Sequence, residues 1–412
     1  MSLNRTNVTF LTACALALLA AAPALGQQLR DMQPFAPPDM GTYGGGYRPN
    51  EGFFGSFDVL LWWIDPPGKA KIGDPLASRR VVITPQDDLD ADQDGEIDSG
   101  ATIEKAVEKS THDTGVFDAK DVPGQRYEFG FIEDHHGWLC SIFHLTDQNQ
   151  KIQASDVHVA FDDAPFGLPP RKHLIGFIDT DLTFQDELPV RFDELEARNK
   201  VQTWGVELNY LHRLHPRHQG VFEWFIGARY LELDEDFVVE AFETIADDGD
   251  PAAGLGDSWW DTSAENHVVG PQIGARWYRK GGRWTWSTEG RFFAGYNSQN
   301  VTLEGLLGSN LDPQNAGLLQ IGNMERTAFN HTRHFDEWSP AAELRLDFMY
   351  QLTRSVSVGV GWTGFWIDGI ARASSLIDYA LGQTTADTMG INDENRQDVL
   401  MNGITWRIVL NR

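Results

Sequence analysis

The sequence predicts an all-β fold, an antiparallel up-and-down outer-membrane β-barrel of about 10 to 12 strands with long outer loops. Apolar residues recur with period two in segment after segment, tight and long connections between those segments alternate, and the aromatic load, with 14 Trp and 24 Phe in 412 residues, exceeds what one small soluble core would hold. Even strand number, short turns at one end and long loops at the other are the marks of such a barrel.

Taken in chain order, residues 1–26 carry Arg5, an apolar run from Ala13 to Ala22 and then Ala24-Leu25-Gly26, which reads as a secretory signal peptide. Leu11-Thr12-Ala13-Cys14 looks like a lipoprotein signal, but the apolar run follows Cys14 where lipidation needs it before, so lipidation is not expected. Residues 27–50, with Pro34, Pro37, Pro38, Pro49 and Gly44-Gly45-Gly46, read as a flexible leader. Residues 51–412 make the barrel domain, with an acidic loop insertion at 68–123. No later stretch approaches the roughly 18 continuous apolar residues of a transmembrane helix, and the mean hydropathy of −0.35 excludes a helical membrane bundle.

The period-two pattern sets Trp204, Val206, Leu208 and Tyr210 on one face, and Phe222, Trp224, Ile226, Ala228 and Tyr230 on another such face. It recurs in Trp284, Trp286 and Phe292, in Leu344, Leu346, Phe348 and Tyr350, and in Ile404, Trp406, Ile408 and Leu410. Tight connections fall at 134–137, 215–218, 280–282 and 352–354. Long ones are expected over about 65–124, 148–200, 234–264, 298–336 and 368–398, by the boundary tolerance of pattern reading. This arrangement makes ten strands with both termini at the short-turn end, and a further hairpin from His173 to Phe184 would make twelve.

The opposite face of these strands mixes signs. Glu207, Glu223, Arg229, Arg276, Glu289, Arg291, Glu343, Arg345, Asp347 and Arg407 are the expected lumen-lining residues, joined by Asp58, Arg126 and Glu128. Such balance suits a narrow lumen crossed by ion pairs, since buried charges need partners. Ten or twelve strands also enclose little space.

Sixty acidic residues against 33 basic ones give a formal charge of −27, which excludes nucleic acid as a main partner. The sharpest local motif is acidic too. Asp90, Asp92, Asp94, Glu96 and Asp98 place carboxylates and a carbonyl at the spacing of a calcium loop, with Gly95 at its turn, but Ala101 stands where the bidentate Glu belongs. Weak calcium binding is therefore the expected metal chemistry, and Thr102–Ser110 reads as a short flanking helix because Ile103, Ala106 and Val107 share a helical face. His212, His215 and His218, with His135 and His136, are read as polar turn residues rather than zinc ligands, since a proline-broken hairpin cannot present them on one helical face. No Gly-x-Ser-x-Gly elbow, Walker loop or His-Glu-x-x-His helix occurs. Cys140 and His144 would lie about 13 Å apart on one strand, and an enzyme is not expected. With Cys14 inside the signal, no disulfide framework is available.

Several patches also resemble the putative beta-barrel porin family abundant in planctomycete-type bacteria. They are Phe54-Gly55-Ser56-Phe57-Asp58-Val59-Leu60-Leu61-Trp62-Trp63, Trp204 to Leu211, Gly227-Ala228-Arg229-Tyr230, Gly270 to Arg276, Glu343-Leu344-Arg345-Leu346 running into Val358 to Trp362, and Asn402-Gly403-Ile404. The order spans about Phe53 to Arg412. The resemblance implies an outer-membrane location and a barrel without an agreed substrate. The sequence departs from the family pattern in ending on Arg412 rather than an aromatic residue and in its 68–123 insertion. Outer-membrane lipid and small polar solutes are the expected partners, for a structural or surface-facing protein with at most slow solute passage. The competing reading is a secreted calcium-dependent binding module on a soluble β scaffold.

Overall fold

The computed structural model describes residues 52–72, 79–83, 104–108, 113–155, 173–179, 187–192, 194–214, 220–242, 258–307, 327–353, 355–379, 390–392 and 396–411. Ten strands form the barrel: β1 (Gly52–Ile64), β2 (Lys120–Glu133), β3 (His136–Ser155), β4 (Glu194–Arg213), β5 (Gly220–Phe242), β6 (Ser258–Gly281), β7 (Trp284–Leu307), β8 (Thr327–Gln351), β9 (Val356–Ile370) and β10 (Gln397–Asn411). Each pairs antiparallel with its neighbours, and β1 closes the sheet on β10 through a register running from Phe54–Asn411 to Ile64–Met401. Closure leaves no unpaired sheet edge, the condition for backbone to sit in lipid.

Both termini of the barrel lie at the short-turn end, as the alternation of connections predicts. Two of these turns have two residues each, Asp134-His135 and Gly282-Arg283. Two-residue hairpin turns that match strand twist need positive φ, and Asp134 (φ 51°) and Gly282 (φ 62°) supply it.

In three respects the structure corrects the sequence reading. The segment from His173 does form a hairpin, His173–Asp179 with Glu187–Phe192, but as a separate two-stranded sheet, so the barrel count is ten. Glu104–Glu108, expected in a helix, is a strand paired with Arg79–Ile83, because a β-branched run offers it a partner and pairing overrides local spacing. The strands are also longer than expected: β3 runs to Ser155, β5 to Phe242, and β7 to Leu307.

On β5, β7 and β8 the cause of that last difference is a reversal of phase along the strand, whereas β3 passes a bulge between Leu145 and Gln148. On β5, Phe222, Trp224 and Ile226 face outward and are exposed, while Glu223 and Arg229 are buried. Past Tyr230 the buried positions, Glu235 apart, become apolar, Leu231, Leu233, Phe237 and Val239, and the outward ones become Glu232, Asp234 and Asp236. β7 and β8 repeat the change. Their outward pairs are aromatic at Trp284–Tyr350 and Trp286–Phe348 and again at Tyr296–Trp338, after which Ser298–Asp336, Asn300–His334 and Thr302–Thr332 follow. From Trp284 to Tyr296 is about 40 Å of strand at about 3.3 Å per residue. Tilted by about 45°, it covers close to the 25 Å apolar band of an outer-membrane barrel, with an aromatic girdle at each rim. A soluble scaffold has no use for an exposed belt of this kind, which sets the competing reading of the fold aside.

Candidate functional site

The interior is where functional side chains converge, and it is built in layers. At the short-turn end Phe54, Ile132, Leu139, Leu211 and Phe225 form an apolar floor over one side. Beside it a cavity of about 90 Å³ is lined by Ser56, Glu128, Glu223, Arg276, Tyr278 and Arg407, among others. It has room for a cluster of water molecules.

Next comes a connected ion-pair layer. Asp58 accepts from Arg126 Nε at 2.7 Å and from Arg407 Nε and Nη2 at 2.9 Å each. Arg407 reaches Asp347 at 3.0 Å. Across the barrel Glu343 binds Arg229 at 2.7 Å and Arg345 at 2.5 Å, and Arg291 bridges Glu207 and Glu289. Glu289 also binds Arg276, whose Nη atoms lie 3.6 Å from Glu128 and 3.8 Å from Glu223. Glu223 in turn holds Arg213 at 2.6 Å. Gln272 extends the layer by donating to Glu207 and Asn209.

All ten residues read from the sequence as lumen-lining are here, facing inward and bonded to one another across the interior, as are Asp58 and Arg126, and Glu128 joins them at 3.6 Å from Arg276 and Arg345. Arg213 completes the set and balances seven carboxylates with seven guanidinium groups. Its parity along β4 places it on the inward face, but a strand ended at 211 leaves it in the turn. Buried charge is tolerated only when paired and hydrogen-bonded, and two ring contacts seal this layer from its apolar neighbours. Arg229 sits 4.6 Å over the Phe365 ring and Arg291 5.1 Å over Phe225, a favourable arrangement for a desolvated cation.

Toward the long-loop end apolar residues take over much of the interior, and Leu60, Trp62, Phe143, Leu233, Phe293, Phe365 and Met401 fill the cross-section. The mouth above is stoppered by chain from two connections. Ile72 and Phe117 come from the one after β1, and Ala371 to Tyr379, with the short helix α1 (Ala373–Leu376), from the one between β9 and β10. Both join one apolar cluster with Trp260, Phe237, Val239 and Leu303, Phe117 edge-on to Phe237 and Tyr379 to Trp260. Burial pushes the Tyr379 phenol up.

The end of β9 and the connection that follows it are fixed by polar side chains of the wall. The Gly369 carbonyl accepts from Asn297, Gln299 and Ser339 at 2.8 to 3.0 Å, and Asn266 bonds both the N–H and the carbonyl of Ala371. Gly369 stands at φ 69°, and a Cβ there would lie 2.7 Å from the Trp338 carbonyl, so this turn into the barrel requires glycine. These anchors are invisible to sequence reading, because Asn266, Asn297 and Ser339 gain meaning only from strand register.

The remaining candidates are more dispersed. Asp90, Asp92, Asp94, Glu96 and Asp98 lie outside the described residues, as do His215 and His218. Among the described residues no group of three His, Cys, Asp or Glu is placed to hold a metal ion. Cys140 and His144 both face outward on β3, four residues apart, while Ser141 faces inward.

Several solved structures are similar to the chain at low identity. The outer-membrane protease OmpT from Escherichia coli matches at 8% identity and TM-score 0.42, over 88% of this chain and 97% of its own. The toluene transporter TbuX of Ralstonia pickettii matches at 8% and 0.23 over 88% and 89%, and a Pseudomonas aeruginosa FadL homologue at 6% and 0.24 over 92% and 94%. At these scores they add nothing to what the strand pairing shows. No curated protein matches the chain. The model of the family described as "Putative beta barrel porin-7 (BBP7)" matches residues 54–405, which is most of the sequence; the chain belongs to this family of porin-like barrels.

Proposed function

We propose that the protein is a sealed outer-membrane barrel with a structural or surface-facing role, passing small solutes slowly at most and catalysing no reaction. The observation that carries this reading is the filled interior: an ion-pair layer, an apolar layer and an anchored stopper lie in series between the two mouths. A diffusion pore needs a continuous wet path, and ten strands leave little cross-section once side chains occupy it. The outward aromatic girdles support lipid as the partner of the wall, and the polar strand extensions carry the long connections clear of the membrane. Reconstitution into planar bilayers and solute-loaded vesicles tests the reading. The expected result is no stable single-channel step and swelling no faster than that of protein-free vesicles for sugars. A steady, large conductance in the wild-type protein would overturn it.

A further inference from the structure

A second constellation sits on the outward face at the short-turn end. His136 opens β3, His212 stands one residue before the end of β4, and the register sets them directly opposite each other. The Arg213 N–H donates to the His135 carbonyl at 2.7 Å, which makes 135 and 213 a hydrogen-bonded pair. Positions 136 and 212 are then a non-hydrogen-bonded pair, the kind whose side chains approach more closely. Their Nδ1 atoms are 3.2 Å apart. The hydroxyl of Tyr210, one outward step along β4, lies 2.5 Å from His136 Nδ1. Trp138 packs edge-on against Tyr210, and Trp224 lies against His212. Two nitrogens and a phenol oxygen thus converge beside the membrane rim, with His136 exposed to solvent.

We propose that His136 and His212 form a two-imidazole site for a divalent transition metal such as zinc or copper, with the Tyr210 oxygen within reach as a third donor. A tetrahedral ion at 2.0–2.1 Å from two imidazole nitrogens holds them about 3.3 Å apart, so the observed spacing needs no movement of the strands. Without a metal, one imidazole must keep a proton on Nδ1 to bond the other. A metal takes the place of that proton, and the ring changes to its Nε2–H tautomer by exchange with water, with no net proton released. Imidazole nitrogen selects zinc, copper and nickel over calcium and magnesium, which separates this site from the acidic loop. A proline-broken hairpin denies these histidines a helical face, but strand pairing gives two of them a better one.

The test uses the full chain folded in detergent and titrated with zinc alone by calorimetry, then with copper alone by electron paramagnetic resonance. The variants are His136→Ala, His212→Gln and the control His334→Ala, which lies on the far extension of β8. Zinc affinity should fall at least about tenfold in each of the first two variants and stay unchanged in the control. The copper signal should show coupling to two imidazole nitrogens in the wild type and one in either variant. Heat-modifiable migration on gels confirms that each variant folds, and either variant alone suffices if the other does not. Zinc heats that persist undiminished in the folded variants, or no binding at millimolar zinc, would overturn the proposal.

Discussion

Glu235 on β5 and Arg372, 137 residues later, meet in a two-bond ion pair inside the barrel mouth, with Arg372 Nε donating to Oε2 at 2.6 Å and Nη2 to Oε1 at 3.3 Å. The same Oε2 accepts from the Ala373 backbone N–H at 3.1 Å, so one carboxylate holds both the charge and the first turn of the stopper. Removing one member of a buried pair leaves an uncompensated charge, at a cost of about 3–5 kcal/mol. Glu235→Leu should therefore undock the segment before the barrel unfolds, and limited trypsin digestion should cut after Arg372 in the variant and not in the wild type. The double variant Glu235→Leu with Arg372→Met, which leaves no orphaned charge, should recover most of the lost thermal stability. Equal cleavage of wild type and single variant would show that the pair is not the anchor.

Leu344 and Glu343 are sequence neighbours in different solvents, one against lipid and one inside the ion-pair layer. Leu344 pairs with Gly290, midway between the Trp284 and Tyr296 girdles, whereas Leu346 pairs with Thr288, nearer the short-turn rim. Leu344→Arg should cost about 2–4 kcal/mol and Leu346→Arg less, because the penalty for charge on the lipid face falls toward the interfaces. Asp347→Asn should cost less than either, since the amide oxygen can still accept from Arg407 and Arg407 keeps Asp58. Urea unfolding from lipid vesicles measures all three. Identical losses at 344 and 346 would contradict the assigned depth.

The part of the fold inside the membrane was legible because each strand there alternates apolar and polar residues in one phase, and Trp204 to Tyr210 or Leu344 to Tyr350 announce it. The extensions were not, because the phase reverses where water replaces lipid: Tyr230 and Leu231 are both apolar, and the pattern passing from one to the other resembles a break. Charged lumen residues could be named from parity, but their partners could not. Nothing in the sequence ties Arg291 to Glu207, 84 residues away. The stopper was least legible of all, since Gly369 and Arg372 lie in what reads as an ordinary long loop.

Arg291 touches Glu207 and Glu289 together and stacks on Phe225, so its loss should be felt on both sides of the layer. Arg291→Met keeps the volume but takes a guanidinium partner from two buried carboxylates, leaving Glu289 to Arg276 and Glu207 to Gln272, and a loss of up to about 3–5 kcal/mol is expected. Because buried pairs are little screened by salt, that loss should be nearly the same in dilute buffer and in molar sodium chloride. A difference that vanishes at high salt would mean that the layer is solvated rather than sealed.

The acidic insertion supports a prediction of its own. Asp87, Asp88, Asp90, Asp92, Asp94, Glu96 and Asp98 place seven carboxylates within twelve residues, which repel one another without a cation. Pairing of Arg79–Ile83 with Glu104–Glu108 brings the two ends of this stretch together, with Ile83 opposite Glu104. The ribbon thereby meets part of the loop-closure cost that a bound ion would otherwise oppose. Calcium should gather Asp90, Asp92, Asp94, the Glu96 carbonyl and Asp98 at roughly 2.3–2.6 Å. Because Ala101 supplies no twelfth-position carboxylate, the dissociation constant should fall on the order of 10⁻⁴ to 10⁻³ M, with little response to magnesium, which demands a tighter octahedron. The barrel's unfolding should not shift with calcium, since none of its strands contributes a ligand. Calorimetry on the folded full chain, beside the variant Asp90→Asn with Asp94→Asn, measures the effect. A calcium heat in the wild type that disappears in the variant is the expected result. Absence of any heat at millimolar calcium would reduce the stretch to a solvated acidic loop.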